Sequence, residues 1–125
     1  MPNLAKSRIA QIAVVCKDVP RASAFYRDVL GLQHLFDAPP NLSFFSCGGV
    51  RLMLTPAERP GDDQLSSILY YQIENIEAVQ KDLAAKGVKF GSAPHMIAKM
   101  PDHELWLCEF RDSEGNALAL MEEKR

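Results

Sequence analysis

The sequence contains the same series of elements twice, and this internal duplication constrains the fold more than any other feature. A helix is expected to start at Asp18 and again at Glu74-Asn75, 56 positions after Asp18. The two helices are expected to end at Gly31 and Gly87, which are also 56 positions apart. A chain of 125 residues is long enough for one compact core. We therefore expect a single domain, residues 1–125, built from two half-size modules.

The first module is expected over about residues 8–55. The apolar run 9–16 predicts a strand, and Asp18 followed by Pro20 is typical of a helix start. Three short strands are predicted at 33–37, 42–47 and 50–55, with Gly48-Gly49 as a tight turn between the last two. Apolar residues at helical spacing predict the buried face of the helix: Ala22, Phe25, Tyr26, Val29 and Leu30.

The second module is expected over about residues 67–123 and repeats this order. A strand at 68–73 precedes the helix, and the closing strand follows Gly115, which lies 66 positions after Gly49. The larger offset places about ten extra residues between Gly87 and a strand at 105–110. The linker, about 56–66, is rich in Pro, Gly and Asp, as an exposed connector would be.

Each module thus has the order β-α-β-β-β, and two modules predict an α+β fold. We expect the eight strands to form one curved mixed sheet, with the helices on its convex side and a cleft on its concave side. Because side chains alternate along a strand, Leu52 and Leu54 should face a helix, whereas Arg51, Met53 and Thr55 should face the cleft.

Composition excludes several classes of function. The net charge of −2, without a block of Lys and Arg, offers no binding surface for nucleic acid. The longest apolar run, 12–16, is far shorter than a membrane helix, and Lys6 and Arg8 interrupt any signal-peptide core. The three cysteines are widely spaced, which favours reduced thiols and a cytoplasmic protein: Cys16, Cys47 and Cys108.

The two ends of the chain resemble the vicinal oxygen chelate superfamily, which includes glyoxalase I, bleomycin-resistance proteins, extradiol dioxygenases and methylmalonyl-CoA epimerase. Residues 15–22, followed by Phe25-Tyr26 and 30–32, are similar to its opening signature. Residues 110–116, followed by Leu118, Leu120 and Glu122, are similar to its closing signature. The resemblance covers about residues 8–123 and implies the same tandem fold, usually as a homodimer.

Metal-dependent members of that superfamily place one metal ligand on each of four strands. By resemblance, these positions are Gln11, Met53, Ile68 and Ala119 in this sequence. Only Gln11 carries a donor for a hard metal ion. We therefore expect neither a metal nor another cofactor, which disfavours glyoxalase I and dioxygenase activity.

Polar and aromatic residues on the cleft side are candidates for ligand binding, together with Gln11. Arg51 could hold a carboxylate or phosphate, or it could pair with a neighbouring acid. Tyr70 and Gln72 could contact a ligand or lie in a dimer interface. Trp106 could stack on a ligand, although a position in the core or an interface is the favoured interpretation.

His95 and His103 are the candidate catalytic residues because both fall in the segment with the extra residues. This segment could fold over the cleft as a lid and bring an imidazole to a ligand for proton transfer. Alternatively, it is a surface hairpin with solvated histidines. His34, just after the first helix, is expected to be structural.

Two functions remain open. The first is a metal-independent protein that binds a small organic molecule in its cleft, as in the bleomycin-resistance branch. The second is a glyoxalase-type lyase, isomerase or dioxygenase that uses an unidentified metal site or acid–base chemistry by His95 or His103. A purely structural dimerisation module has no positive feature in the sequence. No nucleic-acid or membrane partner is expected.

Overall fold

The computed structural model of the protein describes residues 3–57 and 67–125. The chain divides into two compact units, Met1–Gln64 and Leu65–Arg125. In the described residues, no helix is long and apolar enough to cross a membrane. The first unit contains β1 (Gln11–Val15), α1 (Val19–Ala24), a π-helical turn (Phe25–Val29), β2 (Gln33–Ala38), β3 (Leu42–Cys47) and β4 (Val50–Thr55). The second contains β5 (Leu69–Gln72), α2 (Ile76–Ala85), β6 (His95–Lys99), β7 (Glu104–Arg111) and β8 (Ala117–Lys124).

The four strands of the first unit form a sheet in the order β1-β4-β3-β2. β1 is parallel to β4, and the other neighbours are antiparallel. α1 begins where expected, because the Asp18 side chain accepts a hydrogen bond from the Arg21 amide at 3.0 Å. After the π-helical turn, Gly31 takes a left-handed conformation with φ +77°, which stops the helix.

The helix covers one face of this sheet. Tyr26 and Phe45 are fully buried, with their ring centroids 6.1 Å apart. Leu52 and Leu54 on β4 are buried on the same face, whereas Arg51, which directly precedes Leu52, is exposed to solvent. The alternation predicted for β4 is therefore confirmed on its helix-facing side.

The second unit repeats this arrangement with the strand order β5-β8-β7-β6, and β5 is parallel to β8. α2 begins at Asn75, whose side chain accepts a hydrogen bond from the Ala78 amide. The Glu122 carboxylate also accepts hydrogen bonds from the Asn75 and Ile76 amides, each at 2.9 Å. These bonds use amides that a helix N-terminus would otherwise leave unsatisfied.

The α+β class and the two tandem β-α-β-β-β modules are confirmed. The hydrogen-bonding pattern differs from the single eight-stranded sheet that was expected, because the strands form two four-stranded sheets, one in each unit. The physical reason is that the first strand of each module pairs with the last strand of the same module, so each ladder is completed locally. Most of the expected linker, residues 58–66, lies outside the described residues.

The segment between α2 and β8 of the second module contains a hairpin of two strands, β6 and β7. β6 lies at the edge of the second sheet and pairs with β7 in antiparallel fashion. The Met100 amide donates to the His103 carbonyl at 2.8 Å in the connection between the two strands. The segment that contains both candidate histidines therefore has the hairpin form that sequence analysis gave as the alternative to a lid.

Candidate functional site

The candidate residues of the first unit lie on the sheet face opposite α1, which we call the helix-free face of the first sheet. Strand pairing places Gln11 beside Arg51, and Ala13 beside Met53. Met53 in turn lies beside Phe44 on β3. Side chains of directly paired residues point to the same face of a sheet, so these residues share one surface.

Arg51 is held in place on this face by two neighbours. Its Nε donates a hydrogen bond to Gln11 Oε1 at 2.6 Å. Its guanidinium carbon lies 5.4 Å from the centroid of the Phe44 ring, within the range of a cation–π contact. Sequence analysis left two roles open for Arg51, a ligand anchor and an ion pair with a neighbouring acid. The structure gives no support to the ion pair, because no carboxylate of the described residues pairs with Arg51.

Two aromatic rings extend this surface, and sequence analysis missed both. Phe36 on β2 and Phe44 on β3 are stacked, with centroids 4.5 Å apart and an angle of 23° between the rings. Phe44 is 7% exposed and Phe36 is 46% exposed. Phe44 and Phe45 are adjacent on one strand and thus point to opposite faces. The pair Phe44-Phe45 in the sequence could therefore have indicated an aromatic ring on the helix-free face.

In the second unit, Tyr70 and Gln72 lie on the sheet face opposite the buried Leu118 and Leu120. Tyr70 is paired with Ala119 and Gln72 with Met121. Tyr70 is 48% exposed, and Gln72 is exposed as well. Both side chains are therefore accessible to solvent.

Trp106 does not share that surface. Gln72 and Leu107 both pair with Met121, whereas Trp106 pairs with the next residue, Glu122, and so points the other way. Its ring lies 4.3 Å from Lys124 Nζ, and its indole N–H donates to Glu104 at 3.0 Å. The structure therefore does not bring Trp106 together with Tyr70 and Gln72.

The two candidate histidines have different surroundings. His103 is mostly enclosed, with Nδ1 2.7 Å from Asp102 and Nε2 3.8 Å from Glu123. Arg125 contacts both carboxylates, at 2.7 Å and 3.2 Å, which completes a surface charge network. Because its two nitrogens face two acids that Arg125 also binds, His103 has a structural environment.

His95 is exposed, and its Nδ1 lies 2.9 Å from the Ala93 carbonyl oxygen. A carbonyl oxygen only accepts hydrogen bonds, so the Nδ1 proton is assigned by this contact. In the neutral ring the Nε2 lone pair is then available as a base. His95 pairs with Leu107 and so lies on the same face as Gln72. Of the two histidines, only His95 has the geometry of a proton acceptor.

The residues at the four expected metal positions do not suit a metal ion. Met53 offers a thioether, and Ile68 and Ala119 offer only hydrocarbon. The one hard donor, Gln11 Oε1, accepts a hydrogen bond from the cationic Arg51 at 2.6 Å, which opposes binding of a second cation. Within residues 3–57 and 67–125, no three His, Cys, Asp or Glu side chains are grouped as potential metal ligands.

A groove of about 530 Å³ lies between α1 and the β2–β3 connection, away from the helix-free face. Its floor contains Ser23 and Ser43, whose hydroxyl oxygens are 3.0 Å apart. At its rim, Asp37 is 2.8 Å from His34 Nε2. The hydrogen bonds from His34 and from Ser43 lower the pKa of Asp37. His34 also packs edge-on against the buried Phe45 ring, so it has the structural role that sequence analysis expected.

The three cysteines are free thiols in the structure. Cys16 and Cys108 are buried, and Cys47 is partly buried. Burial raises the pKa of Cys47, and burial together with the nearby Glu77 carboxylate raises the pKa of Cys108 to about 11. A raised pKa leaves little thiolate, so these thiols are poorly suited to nucleophilic catalysis.

Comparison with known structures supports the fold. The chain is similar to a lactoylglutathione lyase from Agrobacterium tumefaciens (23% identity, TM-score 0.71, covering 94% of this chain and 95% of that one). It is also similar to TnmS3, an antibiotic binding protein from Streptomyces sp. CB03234 (21% identity, TM-score 0.76, covering 98% and 100%). At these identities, the likeness shows the fold and not the activity.

Sequence comparisons agree. The chain is 26% identical to the uncharacterized protein YraH of Bacillus subtilis (strain 168) over 129 aligned positions, covering 90% of this chain and 96% of the relative. A family model matches residues 8–120, from before β1 into β8. The chain therefore belongs to the Glyoxalase/Bleomycin resistance protein/Dioxygenase superfamily.

Proposed function

We propose that this chain binds a small organic molecule without a metal ion, and that Arg51 is the main polar anchor. The observation that carries the proposal is the position of Arg51, exposed on the helix-free face and without an ion-pair partner among the described residues. An exposed guanidinium with no internal ion pair can bind a ligand that carries a negative charge. Gln11 orients the guanidinium by accepting the hydrogen bond from its Nε.

The family context is compatible with this proposal. One solved structure of the same fold is described as an antibiotic binding protein and another as a lactoylglutathione lyase. The fold thus supports binding as well as catalysis. The donor set at Gln11, Met53, Ile68 and Ala119 favours binding without a metal in this chain.

Three further features belong to the same proposal. We expect the two modules, about residues 8–55 and 67–123, to work as one domain joined by the linker 56–66. We also expect a homodimer in the cytoplasm, which the family resemblance and the free thiols support. Sedimentation velocity of the purified protein will test the dimer.

The first experiment combines metal analysis with ligand screening. Protein purified without chelator and dialysed against trace Ni²⁺, Zn²⁺, Mn²⁺ and Fe²⁺ should retain less than about a tenth of an equivalent of metal. A chemically varied compound library should then give hits by thermal shift in the presence of EDTA, since a ligand at about 100 times its Kd stabilises the fold by roughly 2.7 kcal/mol.

Arg51→Ala should weaken these hits, and Lys81→Ala on the exposed side of α2 is a matched control for loss of one cation. About one metal ion per chain after dialysis would contradict metal independence. Hits that require the metal, or that bind Arg51→Ala as tightly as the unmodified protein, would contradict the proposed site.

A second candidate function is acid–base catalysis by His95, which its assigned Nδ1 proton and exposed Nε2 support. In that case the protein is a lyase or isomerase, and bound ligands are converted to products. Mass spectrometry of library hits incubated with the protein would detect turnover, which should be lost in His95→Ala and kept in His103→Ala. Hits recovered unchanged would exclude this second function for those compounds.

A further inference from the structure

The helix-free face of the first sheet carries a cation at one end of a row of aromatic rings. The Arg51 guanidinium carbon is 5.4 Å from the Phe44 ring centroid, and the Phe44 centroid is 4.5 Å from that of Phe36. Three adjacent strands hold this row together, because Arg51, Phe44 and Phe36 lie on β4, β3 and β2. We call these three residues the platform.

The charge of the platform selects an anion. Gln11 occupies only the Nε hydrogen of Arg51, and the two terminal nitrogens have no ion-pair partner in the described part of the chain. Two parallel N–H groups at that edge match the two oxygens of a carboxylate. The contact with the Phe44 ring restrains the Arg51 side chain, so less side-chain freedom is lost when an anion binds.

The rings of the platform select a flat, apolar body. Phe44 is almost fully covered, whereas Phe36 remains 46% exposed. The angle of 23° between these rings shows that they are stacked, and a third ring can extend such a stack over the exposed face of Phe36. Met53 pairs directly with Phe44 and adds a polarisable thioether that favours aromatic neighbours.

We propose that the platform makes this protein selective for flat aromatic acids, with the acid on Arg51 and the ring system on Phe36. This inference rests on the proposed function, since it names the class of ligand for the same surface. The alternative occupant of an exposed apolar face is a second copy of the chain. Charge favours the ligand, because two copies of Arg51 brought together would repel each other. Among the described residues of β1–β4 that share this face, no acid is present to pair with them.

The test uses matched probes that differ in one property. The probes are 2-naphthoate, its neutral amide, and the saturated acid decahydronaphthalene-2-carboxylate, each measured by isothermal titration calorimetry. Naphthoate should bind at least about tenfold tighter than its amide, the usual effect of one charge-assisted hydrogen-bonded pair. It should also bind more tightly than the saturated acid, because only the flat ring stacks on Phe36.

Variants assign these preferences to individual side chains. Arg51→Gln should bind naphthoate and the amide equally, whereas Arg27→Gln, on the helix layer and paired with Asp28, should keep the preference for the acid. Phe36→Leu should abolish the preference for the flat acid over the saturated acid. Leu35→Ala removes an exposed apolar residue from the same strand and should keep it. Two-dimensional NMR spectra will establish that each variant is folded.

The outcomes separate this inference from the proposed function. Equal binding of naphthoate and its amide, or equal losses in Arg51→Gln and Arg27→Gln, would overturn the inference. So would library hits that include no aromatic acid, although the proposed function would stand. If no compound of the library binds, both fail. If the Arg51 and Phe36 variants change the sedimenting mass and leave ligand preference intact, the face is an interface between copies and the inference fails.

Discussion

Arg51 and Gln11 are paired residues on adjacent parallel strands, and the Nε of Arg51 donates a hydrogen bond of 2.6 Å to the Gln11 side-chain oxygen. This one contact has two consequences for function. First, Gln11 Oε1, the only hard donor among the four expected metal positions, is occupied by the cationic Arg51 side chain. Second, the contact leaves the terminal nitrogens of Arg51 available for an external anion, because an amide orients the guanidinium without neutralising it.

Gln11→Glu should convert the anchor into an internal ion pair. The new carboxylate would neutralise Arg51, so we expect the affinity for aromatic acids to fall by about tenfold. Stability should change by less than about 1 kcal/mol, because the pair is exposed. Calorimetric titration with 2-naphthoate and urea unfolding measure the two effects.

Gln11→Leu is the control for this variant, since it removes the amide without adding a charge. It should keep the affinity for the acid within about threefold. An unchanged affinity in Gln11→Glu would show that Arg51 does not contact the anion.

Local signals in the sequence were sufficient to predict most element boundaries. The strands 42–47 and 50–55 have the predicted limits, and Gly31 and Gly87 have positive φ angles where the helices end. These features depend on short-range physics, namely a turn that needs glycine and an amide that needs a cap. The spacing of the apolar residues did not reveal the π-helical turn, since Tyr26 remains buried there as it would in an α-helix.

Long-range contacts were harder to predict. The role of Glu122 as a cap for α2 depends on two segments that are 46 and 47 positions apart in the chain, and no local pattern encodes it. The same applies to the platform, because the stack of Phe36 on Phe44 depends on the register between β2 and β3, which is shifted by an irregularity between His34 and Phe36. Alternation along β4 alone was enough to separate the side of Arg51 from the buried side of Leu52 and Leu54.

Glu122→Ala should destabilise the second unit. The substitution removes the acceptor of two amide hydrogen bonds at the N-terminus of α2, and we expect a loss of about 1–3 kcal/mol in the free energy of unfolding. Urea unfolding at neutral pH, followed by circular dichroism, measures this loss. Glu123→Ala is the matched control because its partners, His103 and Arg125, lie in a surface network that should contribute less than about 1 kcal/mol.

A smaller loss in Glu122→Ala than in Glu123→Ala would contradict the assigned cap. Glu122→Gln should have an intermediate effect, since a neutral amide has one carbonyl oxygen in place of two carboxylate oxygens. The loss of unfolding free energy should thus be largest in Glu122→Ala, intermediate in Glu122→Gln and smallest in Glu123→Ala. This order is specific to hydrogen bonding at the start of α2.

The three thiols should differ in reactivity. Cys47 is partly buried and should react with a disulfide reagent in the native protein, more slowly than a fully exposed thiol because burial raises its pKa. Cys108 has a pKa of about 11 against an ordinary value of 9.0, which leaves about a hundredfold less thiolate at pH 8. Cys16 and Cys108 should therefore react only as the fold opens.

The number of protein thiols that have reacted with the disulfide reagent, measured over time, tests this order of reactivity. The native protein should show one fast thiol and two slow ones, and Cys47→Ser should remove the fast phase alone. In denaturant all three should react at one rate. A fast phase that persists in Cys47→Ser would show that the first sheet or the second sheet opens more readily than its packing indicates.

Asp37 should titrate below the ordinary range of an aspartate, because His34 and Ser43 hydrogen-bond to its ionised carboxylate and lower its pKa. A pKa that is lower in the folded state contributes stability above the unfolded value, about 3.9, and this contribution is lost as the pH falls through the folded pKa. Asp37→Asn should thus be less stable than the unmodified protein at neutral pH, by no more than about 1 kcal/mol for so exposed a group. The difference should vanish in acid. Carboxyl NMR measures the titration midpoint of Asp37 directly. Because the hydrogen bond from His34 is the largest cause of the lowered pKa, His34→Ala should return this midpoint toward the ordinary value. An ordinary midpoint for Asp37 in the unmodified protein would refute the His34–Asp37 contact.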